Sequence, residues 1–355
     1  MKKLLLSLGL AASLAVPTLA AEKGTPEVKS VSALAFGPGG VLFVGDPQSA
    51  TIFAVETGDT KSTGKKDIAI DKFDDTIASM LGITKADLTV TDVKVNPASG
   101  NVFCSVTRGK GPTAIPVLLK LDRATGALTE FALKDVSFTS VKLPNAAENA
   151  RQRMEVITNM GFSEGKLIVA GLSNEEFAST LRTIPYPFSE ADKGAGIEIF
   201  HGAHGKLETN APVRTFTPYT IGKTNYLIAA YTCTPLVQIP MADLKAGAKV
   251  KGKTIAELGA GNKPLDMIVY QKDGKDFILM ANSARGVMKI PTEGIETTVA
   301  ISEPVRGRDA KAGLGYSTVT ELKGVVQLDK LDDDRAVVLM VGADKGLSLK
   351  TIVLP

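Results

Sequence analysis

The chain has 355 residues, 44% apolar and 22% charged, with a formal net charge of +3. These proportions exclude a disordered chain, and the lack of any Lys/Arg cluster excludes the basic footprint of a nucleic-acid binder. After the first twenty residues no apolar run approaches about eighteen residues, so no membrane span is expected there.

Residues 1–20 read as a signal peptide. Lys2 and Lys3 form a positive n-region, "LLLSLGLAASLAV" an apolar h-region, and Thr18-Leu19-Ala20 a small-residue cleavage site. No Cys follows the site, which argues against a lipid anchor. Cleavage removes two of the 41 Lys and Arg residues, leaving 39 against 38 acidic residues. The mature chain, residues 21–355, is expected to be one domain, periplasmic or secreted. Its two cysteines, Cys104 and Cys233, are expected as free thiols in blades two apart.

In chain order the first unit is "VSALAFGPGGVLFVGD" from Val31: an apolar strand, a Gly-Pro-Gly-Gly turn and a second apolar strand. The shape returns from Val90, Val156, Tyr219, Asp266 and Val325. The second strands start near residues 41, 102, 167, 227, 277 and 336. Third strands are read at "TIFAVE", "VLLKLD", "GIEIF", "LVQIP", "VMKI" and "LSLKTIV", each before a weaker fourth. Four antiparallel strands per unit, repeated round a ring, make a propeller. The expected fold is all-β: a six-bladed β-propeller of four-stranded antiparallel blades with short helical insertions on one face. A seventh blade would fit if the long third unit hid another hairpin.

On "LAFGPGGVLFVGD" and "GNKPLDMIVY" the chain resembles the six-bladed propellers of the NHL, YVTN and SMP-30-like kind. The resemblance implies the fold without choosing a function. Its SMP-30-like lactonase members hold a divalent metal in the funnel through acidic and amide side chains. That resemblance implies Asp46, Asp92, Asn159, Asp266 and Asn282 as a ligand set. The ring is expected to close through the mature N-terminus, supplying the outer strand of the last blade.

Three insertions are read on one face over blades 1–3. "DKFDDTIASMLGI" is a helix with Asp71 as cap, and "LPNAAENARQRMEV" one with Pro144 at its start. "LSNEEFASTLRTIPYPFSEADKGA" is read as a lid or wall over the funnel. Its candidate linings, with the neighbouring insertion, are Arg151, Arg153, Asn174, Glu175, Glu176, Arg182 and Tyr186. The second-to-third-strand loops add Asp46, Gln48, Arg108, Lys110, Tyr231, Cys233, Asn282, Arg285, Asp344 and Lys345. Mixed charge at a funnel mouth suits a small polar ligand. Asp92 and Asp266, on inner strands, are also read as acceptors for neighbouring loop N–H groups.

The chain has two histidines, His201 and His204, in "FHGAHGKLE", with Glu208 beyond. Two imidazoles and a carboxylate could ligate a divalent metal, but the third-to-fourth-strand turn assigned to them lies on the face opposite Cys233. On that layout Cys233 has no base to activate it. "DKLDDDRAVVLM" lacks the Gly and the terminal acid of a calcium loop and reads as a solvated turn. "GAGNKP" ends in Pro before a strand and is no dinucleotide site. The leading reading is a module binding a small polar ligand or an envelope protein through the insertion face. The alternative is a metal-dependent hydrolase or cofactor-holding redox protein with its site in the funnel, and a third is a structural module docking to an envelope assembly.

Overall fold

The computed structural model describes residues 18–62, 64 and 66–355. The n- and h-regions of the expected signal peptide, residues 1–17, lie outside the described residues. Six sheets form the six blades, numbered here in chain order; they are antiparallel except where Lys249–Lys251 adds in parallel to Ala195–His201. Blade 1 has Ala33–Phe36, Val41–Asp46 and Thr51–Glu56, and blade 2 has Leu88–Val95, Val102–Arg108, Ile115–Leu121 and Leu128–Glu130. Blade 3 has Asn159–Ser163, Lys166–Leu172, Ser179–Pro185 and Ala195–His201. Blade 4 has Thr215–Ile221, Thr224–Ala230, Pro235–Pro240 and Lys253–Glu257. Blade 5 has Pro264–Lys272, Lys275–Asn282, Gly286–Pro291 and Ser317–Val319, and blade 6 has Val325–Lys330, Arg335–Val341 and Leu347–Val353.

The blades do not follow one another round the ring in chain order. Six apolar clusters fill the seams, and each joins two blades: 1 with 3, 3 with 4, 4 with 5, 5 with 6, 6 with 2, and 2 with 1. Blade 2 therefore sits between blades 6 and 1. Inner-strand hydrogen bonds follow the same order. The Leu34 N–H of blade 1 donates to Asp92 of blade 2 (2.7 Å), and the Val95 N–H of blade 2 to Asp329 of blade 6 (2.7 Å).

Ring closure corrects the sequence expectation. The fourth strand of blade 6 is Ala69–Ile70, paired with Leu349 and Lys350, and not the N-terminus. Blade 1 is completed by Val136–Lys142, which pairs with Thr51–Glu56 over five residues. The N-terminal strand Glu22–Gly24 then adds to the outside of Val136–Lys142. The polar stretch after Glu56 crosses to the open edge of blade 6, so the outer place in blade 1 stays vacant until the chain returns. Cys104 and Cys233 are both free and stand three steps apart round this ring rather than two.

We call upper the face carrying the second-to-third-strand turns and the blade-to-blade connections. Helix α1, Phe73–Leu81, lies there and buries Phe73 and Ile77 against blades 2 and 6. Its cap position is Lys72, in a left-handed conformation, while Asp71 pairs with Lys350 at 2.8 Å. The second helix, α2, is only Ala150–Arg153, capped by the Asn149 side chain accepting from the Gln152 N–H; Pro144 does not start it. The expected lid is no lid. Ser179–Pro185 is the third strand of blade 3, paired along its whole length with Lys166–Leu172, and "GIEIF" belongs to the fourth strand. Phe188 is buried between blades 1 and 3, and Tyr186 packs edge-on to it and to Phe43.

Candidate functional site

All six inner strands contribute to a cavity of about 340 Å³ in the central channel, toward the lower face. Phe36, Met160, Phe162, Phe216 and Met267 supply apolar wall, and Lys94, Lys330, Asp266 and Asp329 supply charge, with Lys330 paired to Asp333 at 2.9 Å. These groups arise from the pleat. On an inner strand alternate residues share a face, so Asp92 and Lys94, two apart, lie on the same side, and a bulge between Val90 and Asp92 sets which side that is. A bulge between Pro264 and Asp266 does the same for Asp266.

The Lys94 ammonium lies 3.3 Å from Asp266 and 3.8 Å from Asp92. Each carboxylate also ties neighbouring blades: Asp266 accepts from the Leu328 N–H at 3.2 Å, Asp92 from Leu34, Asp329 from Val95. One ammonium thus faces three carboxylates. Burial pushes the Asp92 carboxyl upward, against Lys94, and Asp266 adds to the rise. Burial likewise pushes Asp329 up to about 6, partly offset by Lys94 and the Val95 hydrogen bond. Burial opposes the charge of Lys94, but the surrounding carboxylates outweigh it and hold the ammonium charged. The sequence reading had placed Asp329 in a solvated turn. It is on the inner strand of blade 6, and the turn begins two residues later.

The residues expected to line a funnel on the upper face are not brought together. Arg151 is exposed on α2, and Arg153 reaches the Gln48 carbonyl (3.2 Å). The Asn174 N–H donates to the Asn145 carbonyl, and Glu175 accepts from the Asn145 side chain. Glu176 pairs with Lys249 at 2.6 Å. Arg182 is fully enclosed in blade 3, and Tyr231 is buried between blades 3 and 4. Tyr186 follows a strand that runs toward the lower face. Asn282 caps its own turn by accepting from the N–H groups of Ala284 and Arg285. Arg285 staples Asp309 and the Arg308 and Ala260 carbonyls.

The carboxylate and amide set implied by the lactonase resemblance does not form one centre either. Asp46 is consumed by Lys29 N–H, Ser30 and Ser49, and the Asn282 amide by Asn262. Asp266 and Asn159 both line the cavity, while Asp92 stands behind Lys94.

The histidines move to the other face. With Ser179–Pro185 counted as a strand, Ala195–His201 runs upward and His201 ends at the upper face. One ring nitrogen of His201, one of His204 and the Cys233 Sγ lie within 4.8 Å of one another. Sequence reasoning separated these groups because one missed strand reverses the direction of the next. Beneath the histidine turn, the buried Glu257 accepts from the Gly202 N–H at 2.5 Å. Burial raises its carboxyl to about 7. Among the described residues no helix is long and apolar enough to cross a membrane.

No family model and no curated protein matches this chain. Solved structures similar to it include the extracellular domains 1–2 of Drosophila Semaphorin 1b, at 10% identity and TM-score 0.43, covering 95% of this chain and 87% of that one. Another is a PQQ-bound aldose sugar dehydrogenase from Streptomyces coelicolor, at 12% identity and TM-score 0.35, covering 95% and 100%. A third is a streptogramin B lyase, at 9% and 0.36, covering 96% and 100%. None of these likenesses carries a functional argument.

Proposed function

We propose that this chain is an exported propeller that binds a small amphiphilic amine in the lower mouth of its central channel. Export rests on the n-region, apolar run and cleavage site of residues 1–20. The single observation behind the ligand class is the cavity itself. It has the size of a small-molecule site and is apolar on its walls, with a few polar groups converging at one point. Those groups are short of positive charge. Lys94 alone faces Asp92, Asp266 and Asp329, and burial raises the Asp92 and Asp329 carboxyls above the usual range. A ligand ammonium supplies the missing cation, and an attached ring or chain covers Phe162 and Phe216. The reading moves the expected binding surface from the upper face to the lower one.

The test compares 2-phenylethylamine with 3-phenylpropionate by titration calorimetry on the full chain. The amine is expected to bind at pH 7.5 and the carboxylate not to. Affinity for the amine should fall as the pH drops through about 6, where Asp329 takes its proton. Asp329→Asn should weaken the amine by about 10- to 100-fold, the worth of one charge-assisted hydrogen bond. Equal binding of both probes, or binding indifferent to Asp329→Asn, would overturn the proposal.

A further inference from the structure

Apart from the channel, three side chains from two blades converge on the upper face. His201 ends the fourth strand of blade 3, and His204 sits in the turn that follows it. Cys233 lies in the second-to-third-strand turn of blade 4. That turn holds the thiol in an unusual backbone state. Cys233 and Thr234 both have positive φ, 65° and 52°. The Cys233 N–H donates to the Asn262 carbonyl (2.8 Å), and the Thr234 hydroxyl to the Gly259 carbonyl (2.8 Å). Two consecutive left-handed residues that are not glycine persist only where surrounding contacts fix them.

One carboxylate orients both imidazoles. Glu208 meets His201 Nδ1 at 2.8 Å and His204 Nδ1 at 2.6 Å, one oxygen to each. An ionised carboxylate only accepts, so each ring donates its Nδ1–H and turns a bare Nε2 lone pair away from Glu208. His201 is 2% exposed, and its Nε2 has no partner. Leaving such a group buried and unpaired is costly. The ring centroids of His201 and His204 are 3.8 Å apart. One nitrogen of each ring and the thiol sulfur thus lie within 4.8 Å of one another, with one carboxylate bound at both Nδ1 atoms.

We propose that His201, His204 and Cys233 form a binding site for a late first-row transition-metal ion, with Zn²⁺ the preferred occupant. Two imidazole nitrogens and one thiolate are borderline-to-soft donors, which select zinc over calcium or magnesium. Glu208 plays the part of the outer carboxylate that fixes tautomer and ring orientation in metal–histidine sites. Binding displaces the thiol proton to solvent and leaves the imidazoles neutral. Three protein donors leave a fourth position, and His204 stands at the solvent-facing side, its side chain 46% exposed. The site is separate from the channel cavity and shares no residue with it.

The test uses the reduced full chain, stripped with chelator and titrated with Zn²⁺ or Co²⁺ alone. One equivalent of Zn²⁺ by native mass spectrometry, and a thiolate-to-cobalt charge-transfer band with Co²⁺, are expected. Cys233→Ser should abolish the band and Cys104→Ala should keep it. His204→Ala, at an exposed ring, should lower affinity without unfolding the chain, and Glu208→Gln should weaken it by about 10- to 100-fold. Circular dichroism of each variant separates lost folding from lost ligation. No stoichiometric metal, or a band that survives Cys233→Ser, would overturn the site.

Discussion

Arg182 is the largest fully buried side chain in the ring, and it has no carboxylate within ion-pair distance among the described residues. One guanidinium nitrogen donates to the Pro144 carbonyl at 3.1 Å, while Nε and Nη1 have no partner. Burial draws its pKa down to about 10. A buried cation without a counter-charge costs free energy that a well-packed apolar chain of similar length does not. Arg182→Met should therefore lie between no change and a gain of about 1–4 kcal/mol in urea denaturation. A loss of several kcal/mol would mean that the guanidinium serves a partner. The sequence marked Arg182 as a candidate because it is charged and sits in an apparent loop. Its place between Leu181 and Thr183 in a strand, on the same face as the apolar Ile184, was the contrary signal.

At the scale of elements, blade 3 decides most of the difference between sequence and structure. Ser179–Pro185 has a strand's composition, "STLRTIP", but the polar "SNEEF" before it and the aromatic "YPF" after it made the whole stretch resemble an excursion. Hairpin periodicity shows that strands exist; it does not number them within a blade. One strand omitted sends the next in the wrong direction and puts its end on the wrong face. Hence His201 and His204 were legible as candidate ligands while their partner Cys233 was not. The neighbouring strand carries a tighter constraint. A Cβ at Gly171 would lie 1.9 Å from the Val156 carbonyl oxygen, where the connection from blade 1 presses on the strand and the Leu172 N–H donates to Glu155. Gly171→Ala should cost at least about 1–3 kcal/mol by thermal melting, as overpacking does. Gly315→Ala, where a Cβ meets nothing, should stay within about 0.5 kcal/mol.

At the scale of the molecule, six blades were legible from the recurring hairpins, and their order round the ring was not. Adjacency is set by which open edge a strand reaches first, and the residues that decide it lie in the polar crossing from Glu56 to Ala69. A chain rebuilt with residues 33–56 placed between Glu130 and Val136 would give the same sheets in regular order. It should refold faster in stopped-flow, because its blade 1 pairings become local. An unchanged or slower rate would show that the displaced blade does not limit folding. The displaced blade also sets a timetable for synthesis. The apolar edge Thr51–Glu56 is made early, but its partner Val136–Lys142 follows about 80 residues later, roughly 4–16 s at ordinary translation rates. Throughout that interval the nascent chain offers an unpaired strand to any passing edge. A ribosome-bound chain of this design needs an attendant that keeps its first strands apart from other chains until the second return is complete.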